Sequence, residues 1–177
     1  PIAMGTNTDP YQPIEGRYRI TRQILEVCLE ARHPVTITTK SDRVTRDIDI
    51  LAPMAADGLA AVAISITSLT PEISRTLEPR APAARKRLAA VRMLREAGIP
   101  AIVAIAPVIP GITDHEVEAI VEAAAAAGFD SAAFLKPGED VGQGPARRVH
   151  LRMAAIRKHP RPGNTEAKRI ESKCFHQ

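Results

Sequence analysis

VTITTKSDRVTRDIDILAPMAADGLAAVAISITSL, residues 35–69, contains a complete strand–helix–strand unit and decides the fold of this 177-residue chain. The β-branched run at 35–38 predicts a strand. Thr45 predicts the N-cap of a helix that ends at Gly58, since hydroxyl side chains favour helix starts and glycine favours helix ends. Residues 59–66 are almost continuously apolar, as in strands of parallel sheets that are covered on both faces. The unit therefore predicts two parallel strands joined by a crossover helix.

The same alternation continues on both sides of this unit. Further strand-like apolar segments are 2–4, 99–105 and 129–135, and further helical segments are 17–32, 71–77, 82–97 and 113–128. Strands that alternate with helices indicate βαβ units. Short strands and tight repeats favour a barrel over an open sheet, so the fold class is α/β, a partial (β/α) barrel incomplete at both ends. Because the first strand is so short, we expect further residues before Pro1.

The charge of the chain is unevenly distributed. Residues 1–135 carry 14 Lys and Arg against 16 Asp and Glu, whereas residues 136–177 carry 10 against 4. The second segment is rich in Gly, Pro and Arg and has little apolar periodicity, which is typical of disorder. We therefore predict a barrel core at 1–135 and a basic tail at 136–177 that is disordered or non-native.

Several classes of protein are disfavoured by the sequence. The two cysteines, Cys28 and Cys174, are far apart, so a disulfide framework is not expected. The chain shows no basic leader with a long apolar run and no apolar stretch that could span a membrane, which makes the cytoplasm the default location. Asp114, His115 and Glu116 lack the spacing of a metal site, and acidic residues at a helix start need no metal. No metal ligands are predicted.

Polar or proline-rich clusters follow four of the predicted strands. They are GTNTDPYQP (5–13), TTKS (38–41), SIT (65–67) and APVIPG (106–111). Parallel barrels place their chemistry just past the carboxyl ends of their strands. The four clusters therefore predict one site that is built from several strands.

The clusters allow more than one interpretation. Thr8 and Asp9 could form an Asx-type turn or hold a polar ligand. Lys40 could be solvated, or it could point into the barrel mouth and bind a carboxylate or phosphate. Ser65 and Thr67 share one face of their strand, where they could line a polar cavity or bond to the backbone.

Two later segments are also open to two interpretations. Glu78 and Arg80 could form a surface ion pair or contact substrate from a loop above the mouth. The proline-stiffened stretch at 106–111 could be a plain turn. Its alternative is a rigid apolar wall with free backbone amides, which suits a flat ring such as adenine.

Residues 1–135 resemble the radical S-adenosylmethionine superfamily, and specifically its branch similar to spore photoproduct lyase, often labelled DNA repair photolyase-like. The resemblance rests on an ordered set of segments rather than on any single one. They are TNTDPYQPIE (6–15), VTITTKS (35–41), TRDIDILAPMA (45–55), VAISITSL (62–69), LEPRAP (77–82), RLAAVRMLREAGIP (87–100) and APVIPGITDHE (106–116).

The resemblance implies a partial barrel whose mouth holds S-adenosylmethionine and a [4Fe–4S] cluster. Thr8 and Lys40 match positions that hold the methionine carboxylate, and Ser65 and Thr67 match the strand near the ribose. Val108, Ile109 and Pro110 match the segment that lies beside the adenine after the fifth strand of the family's barrel. The candidate cofactor-binding residues are Thr8, Asp9, Lys40, Ser65, Thr67, Val108, Ile109 and Pro110. No catalytic residue is assigned.

The chain departs from this family in two respects. The family's cluster is held by a Cys-x3-Cys-x2-Cys run, which this chain lacks, and clusters need thiolate ligands. Spore photoproduct lyases also carry a hydrogen-donating cysteine where Thr6 or Asn7 stands here, so repair of thymine photoproducts is not implied. We therefore expect a fragment, inactive alone, of an enzyme that cleaves S-adenosylmethionine reductively to a 5′-deoxyadenosyl radical.

The substrate of that enzyme is unknown, with nucleic acid as one candidate. The alternative function belongs to a different class of protein. It is a non-catalytic basic protein that binds nucleic acid through residues 136–177, since clustered positive charge binds phosphate backbones. No membrane partner is expected.

Overall fold

Strands and helices alternate along the computed structural model, which describes residues 1–129, 131–134 and 148–149. The strands are β1 (Ile2–Met4), β2 (Val35–Thr39), β3 (Ala60–Ser65), β4 (Ala101–Ile105), β5 (Ser131–Phe134) and β6 (Arg148–Val149). The helices are α1 (Glu15–Tyr18), α2 (Ile20–Glu30), α3 (Ile48–Ala56), α4 (Pro71–Leu77), α5 (Ala84–Glu96) and α6 (Val117–Ala126). Two 3₁₀ helices, Asp42–Asp47 and Asp114–Glu116, precede α3 and α6.

The six strands form one sheet in the order of the sequence, β1-β2-β3-β4-β5-β6. The first five are parallel, and β6 runs antiparallel to β5. Parallel neighbours require a crossover, and helices supply it here. Winding in one direction without a reversal of strand order is the topology of a barrel rather than of a doubly wound sheet. The predicted α/β partial barrel is confirmed.

One face of the sheet carries the apolar core. Alternate residues of β2, β3 and β4 are buried there, among them Ile37, Ile64 and Val103. Leu51 and Leu94 of the helices belong to the same core. The β-branched residues thus pack under the helix layer, as the sequence predicts.

The opposite face of the sheet is open and carries small or hydroxyl side chains. Thr36 and Thr38 of β2 are exposed, and Ala61 and Ala63 beside them on β3 are half-buried. Because alanine counts as apolar, β3 reads as a continuous apolar run although only one of its faces lies in the core. This open face ends at the edge where the polar clusters begin.

The helix predicted at 17–32 is two helices. Arg19 adopts a left-handed conformation, with φ of 53°, and separates α1 from α2. Glu15 compensates for this break, because its carboxylate accepts hydrogen bonds from the first two backbone amides of α2, those of Ile20 and Thr21. The periodicity of the sequence did not reveal this interruption, since the buried residue of α1 is the charged Glu15 and the apolar core positions lie in α2.

The predicted N-cap at Thr45 is wrong. Ser41 accepts a hydrogen bond from the backbone amide of Arg43 and begins the 3₁₀ helix Asp42–Asp47 instead. The Thr45 hydroxyl donates to the carbonyl of Asp42, 2.9 Å away, so it lies inside this turn. Two hydroxyl residues close together offered two helix starts, and the one nearer the strand is used.

The predicted tail at 136–177 lies outside the described residues, apart from Arg148–Val149 in β6. The same holds for the boundary at residue 135. In the described part of the chain, no helix is both long enough and apolar enough to cross a membrane.

Candidate functional site

Asp9 ties the loop after β1 to the end of β2. Its Oδ1 accepts hydrogen bonds from the backbone amide of Tyr11 at 2.8 Å and from the Thr39 hydroxyl at 2.7 Å. Its Oδ2 accepts from the backbone amide of Lys40, also at 2.8 Å. The first bond is that of an Asx turn. The carboxylate therefore holds the two loops together and positions Lys40.

A buried ionic cluster anchors the same loop from below. Asp47 is fully buried and accepts hydrogen bonds from the Tyr11 hydroxyl, from Arg22 and from Arg46. Arg46 also contacts Glu15. Burial and the neighbouring Asp47 raise the pKa of Tyr11 well above its usual value, so the phenol remains a donor at all working pH values. The loop is thus fixed on both sides.

Lys40 lies at the carboxyl end of β2 and pairs with Glu78. Its Nζ is 2.9 Å from Glu78 Oε1, and its side chain is 43% exposed. The Thr67 hydroxyl donates to the same carboxylate oxygen, 2.6 Å away. The predicted alternative of a surface ion pair between Glu78 and Arg80 is wrong, because the Glu78 side chain points into the sheet edge and is buried there.

Arg87 is the second cation on Glu78 and is 1% exposed. Its Nη2 is 2.6 Å from Glu78 Oε2. Its Nη1 donates to the carbonyl of Ser65 and its Nε to that of Pro82, at 2.8 and 2.7 Å. The sequence analysis missed Arg87. The available signal was its place on the apolar face of α5, four residues before Val91, where an arginine must be satisfied internally.

The charges of this cluster do not cancel. Burial acts to raise the pKa of Glu78, but hydrogen bonds from Thr67 and Lys40 and the charge of Arg87 hold it below the usual range. One carboxylate therefore faces two cations. Since Arg87 is fixed and buried, it can keep Glu78 neutralised while the half-exposed Lys40 turns to another anion.

The other predicted hydroxyls take different places. Ser65 is buried at the end of β3, and Thr67 is 1% exposed and lies 3.3 Å from the carbonyl of Ala106 after β4. Thr8 is exposed on the loop after β1. The structure thus links Asp9, Lys40 and Thr67 through hydrogen bonds and leaves Thr8 at the rim of the edge.

The wall predicted after β4 follows a cis peptide bond between Ala106 and Pro107. Val108 and Ile109 are half-buried and Pro110 is exposed. The backbone amide of Ile109 donates to the Thr113 hydroxyl at 2.8 Å, which shapes the segment into a turn. The Thr113 hydroxyl is therefore occupied by this turn and makes no side-chain N-cap bond to the helix that follows.

Glu116 joins the segments that follow β3 and β4. It is 6% exposed and accepts hydrogen bonds from the Ser68 hydroxyl at 2.9 Å and from the backbone amides of Leu69 and Thr70 at 2.6 and 3.3 Å. The sequence analysis assigned it to a helix start. Its spacing from Thr113 is that of a capping box, so the local pattern pointed away from this long-range role.

Replacing Glu116 by glutamine is expected to reduce the dependence of the free energy of unfolding on pH in the acid range. Burial raises the pKa of Glu116, but the hydrogen bonds from Ser68, Leu69 and Thr70 outweigh it and hold the pKa below its ordinary 4.5. The stabilisation is therefore full above about pH 4.5 and is lost as the pH falls through the folded-state pKa. Urea unfolding between pH 3 and 7 should show a smaller acid loss for Glu116→Gln than for the parent. Equal acid losses would contradict it.

A cleft of about 830 Å³ lies at the carboxyl edge. Of the predicted cofactor residues, Asp9 and Lys40 line it, whereas Thr8, Ser65, Thr67 and residues 108–110 do not. Its walls come from the loop after β1, from the start of the 3₁₀ helix after β2 and from the segment between α4 and α5. Lys40 and Glu78 both line it. Among the described residues, no group of three or more His, Cys, Asp or Glu side chains could hold a metal ion.

A singly wound α/β barrel sheet with a polar site at its carboxyl edge defines the class of protein. Comparison with known families then identifies the family. The family model of the radical SAM superfamily matches residues 2–124, so the chain belongs to that superfamily. An uncharacterized protein of Mycobacterium tuberculosis is 36% identical over 113 residues, which are 64% of this chain and 33% of that protein. One of Methanocaldococcus jannaschii is 34% identical over 115 residues, 65% of this chain and 43% of that protein. The chain thus spans between a third and a half of the length of these relatives.

Solved structures show the same fold. SuiB of Streptococcus suis bound to S-adenosylmethionine has a TM-score of 0.54 at 16% identity over 80% of this chain and 30% of its own. HemN of Escherichia coli, a coproporphyrinogen III oxidase and radical SAM enzyme, has a TM-score of 0.51 at 16% identity and matches 93% of this chain and 38% of its own. TsrM of Kitasatospora setae with cobalamin and a [4Fe–4S] cluster bound has a TM-score of 0.51 at 18% identity and matches 70% of this chain and 24% of its own.

The residues of the chain fit one of the two cofactors of this superfamily. A cluster needs several thiolates, whereas the chain has two cysteines, of which Cys28 lies on the buried face of α2. The cluster does not fit. Lys40, which lines the cleft, has the positive charge that the carboxylate of a zwitterion requires. The Thr67 hydroxyl is buried and donates to Glu78.

Proposed function

We propose that this chain is the S-adenosylmethionine-binding part of a radical SAM enzyme of the spore photoproduct lyase-like branch. One observation carries the proposal. Lys40, Glu78 and Arg87 form a cluster with one surplus positive charge at the carboxyl edge of a parallel sheet. In parallel barrels this edge is where ligands bind.

The cofactor is proposed to lie along the edge from the first loop to the turn after β4. Lys40 would bind the methionine carboxylate, with Thr8 and the Asp9 loop beside it. Ser65 and Thr67 would lie near the ribose. Val108, Ile109 and Pro110 would lie against the adenine, where the half-buried apolar side chains of Val108 and Ile109 suit a flat ring.

The activity of the whole enzyme is proposed as reductive cleavage of S-adenosylmethionine to a 5′-deoxyadenosyl radical. It depends on cluster ligands that the cysteines of this chain do not provide, so the chain alone is proposed to bind the cofactor without cleaving it. The assignment to the photolyase-like branch rests on the ordered segments between residues 6 and 116. The substrate is not assigned by these residues.

The basic tail at 136–177 supports a second candidate, nucleic-acid binding without catalysis. Its charge balance of 10 basic against 4 acidic residues favours it. High salt should abolish such binding, and substitution of Lys40 should leave it unchanged. This behaviour separates it from cofactor binding.

Lys40→Ala is expected to weaken S-adenosylmethionine binding by about 10-fold or more, because a charge-assisted hydrogen bond contributes about 1.5–3 kcal/mol. Isothermal titration of the purified chain measures the effect. Arg92→Ala is the matched control, since Arg92 is an exposed cation on α5 away from the cleft, and it should bind as the parent does.

A ligand-side control identifies the group that Lys40 binds. Decarboxylated S-adenosylmethionine lacks the carboxylate and should bind the parent and Lys40→Ala with equal, weaker affinity. If Lys40→Ala weakened both ligands alike, Lys40 would not bind the carboxylate. If the parent bound neither ligand, the proposed function would fail.

A further inference from the structure

We propose that the turn Glu78–Pro82 presents Arg80 as an anchor for a phosphate group of the substrate at the mouth of the cleft. This rests on the proposed function in one respect, because it names the substrate class of the same site. It is carried by different residues from those assigned to the cofactor.

The turn is fastened at both ends by one buried side chain. Arg87 pairs with the Glu78 carboxylate at 2.6 Å and donates to the carbonyl of Pro82 at 2.7 Å. The backbone amide of Ala81 closes the turn by donating to the carbonyl of Glu78 at 3.0 Å. Pro79 and Pro82 restrict the backbone further. The backbone of Arg80 is therefore held in place before any ligand arrives, which lowers the entropy lost on binding.

Arg80 itself is exposed, and its side chain has no hydrogen bond or ion pair with any residue that the structure describes. Lys86, on the first turn of α5, is also exposed, and its side chain has no hydrogen bond or ion pair within the described part of the chain. By contrast, Arg22 and Arg46 each pair with carboxylates. Both unpaired cations line the cleft.

The opposite wall adds a third cation. Arg43 lines the same cleft, is exposed and donates a 3.3 Å hydrogen bond to the carbonyl of Pro13. Three carboxylates also line the cleft. They are Asp9, Asp42 and Glu78, and they face the four lining cations Lys40, Arg43, Arg80 and Lys86. The buried Arg87 adds a further positive charge on Glu78. The cleft therefore has an excess of positive charge, and low-dielectric walls strengthen its attraction for anions.

The rim cations suit the substrate better than the cofactor. The one carboxylate of S-adenosylmethionine is assigned to Lys40, and its sulfonium would be repelled by further cations. A guanidinium presents parallel donors that match phosphate oxygens. The recognised group is thus a phosphate, which either a nucleotide or a nucleic-acid strand could provide.

The test uses the full chain and two probes, cytidine 5′-monophosphate and a short single-stranded oligodeoxycytidylate. Arg80→Ala is expected to weaken oligonucleotide binding by about 10-fold and to reduce the slope of log affinity against log salt by about 0.7, the loss of one phosphate contact on a single strand. Arg80→Lys should restore the slope but not the full affinity, because lysine keeps the positive charge but lacks the paired donors of a guanidinium. The basic tail is present in all variants and contributes equally.

Arg92→Ala is the matched control and should leave affinity and slope unchanged. If Arg80→Ala weakens the binding of cytidine 5′-monophosphate as strongly as that of the oligonucleotide, the result supports a nucleotide substrate. If it weakens the binding of the oligonucleotide alone, the result supports a nucleic-acid strand. If Arg80→Ala and Arg92→Ala were indistinguishable with both probes, the proposal would be overturned. S-adenosylmethionine affinity, which Arg80→Ala should leave unchanged, separates this failure from failure of the cofactor site.

Discussion

Gly5→Ala is expected to destabilise the protein by more than about 4 kcal/mol, the range reserved for severe steric or packing defects. A Cβ on Gly5 would lie 1.9 Å from the carbonyl oxygen of Thr38, and the residue has φ of 92°. The clash is between the new Cβ and a backbone carbonyl of β2, so no side-chain rotation relieves it. Because β1 would have to separate from β2, the loop that carries Asp9 would separate with it. Urea unfolding followed by circular dichroism measures the loss.

Gly58→Ala is the matched control for this substitution. Gly58 also has a left-handed conformation, with φ of 70°, but nothing lies within 4 Å of a Cβ built there. Its replacement should cost about 1–2 kcal/mol, the penalty of the conformation alone. Similar losses for the two variants would show that the contact with Thr38 does not determine the packing of the first loop.

Arg87→Met is expected to lower the free energy of unfolding by about 3–5 kcal/mol, as when one partner of a buried ion pair is removed. The substitution keeps an unbranched apolar stem and leaves the carbonyls of Ser65 and Pro82 without their donor. It also leaves Glu78 with Lys40 as its cation. Arg85→Met, at an exposed position of the same helix, should change stability by less than about 0.5 kcal/mol.

The pH dependence of the same variant provides a second measurement. The pKa of Glu78 is held below its ordinary 4.5 in the folded protein, so its contribution is present above that value and is lost as the pH falls through the folded pKa. Without Arg87 the pKa of Glu78 should rise, and the free energy of unfolding should fall less as the pH is lowered. Adding Glu78→Gln to Arg87→Met should recover part of the stability, since the uncompensated carboxylate is gone. No recovery would indicate that the lost hydrogen bonds to the two carbonyls account for the effect.

The path of the chain could be predicted from its sequence to a large extent. Apolar runs such as residues 59–66 predict the strands because their burial under helices depends on composition and period, which are local properties. The boundaries were less accurate where several local signals competed. Thr45 was predicted as a helix start and Ser41 serves as one, because both hydroxyls are compatible with a turn at that point.

The site was predicted in outline only. Lys40 and Thr67 were identified because they interrupt or follow apolar strands, and an isolated polar residue at such a position is visible in the sequence. Arg87 and Glu116 were not identified, because each lies in a helical segment rich in similar charges. Their functions depend on partners that lie 22 to 48 residues away in the chain. Such pairings are set by the packing of α5 and α6 against the sheet and leave no local pattern.

The contacts around the edge explain why the site can be rigid although it is built from loops. Asp9 fastens the first loop to the second, Arg87 fastens the turn after α4 to β3, and Glu116 fastens the segments after β3 and β4 to each other. Each link is a buried or half-buried charge whose hydrogen bonds reach backbone atoms. Loops held in this way can position polar groups within the tolerance that ligand recognition requires.

The central claim is that S-adenosylmethionine binds along the carboxyl edge of the sheet, and amide NMR of the isotope-labelled chain tests it most directly. On addition of S-adenosylmethionine, the resonances expected to shift are those of Thr39 and Lys40, of the segment 65–68 and of the segment 106–110. Lys40→Ala should reduce these shifts, and Arg92→Ala should preserve them. Shifts confined to residues 136–177 or to the amino ends of the strands, or no shifts at all at saturating ligand, would contradict the account.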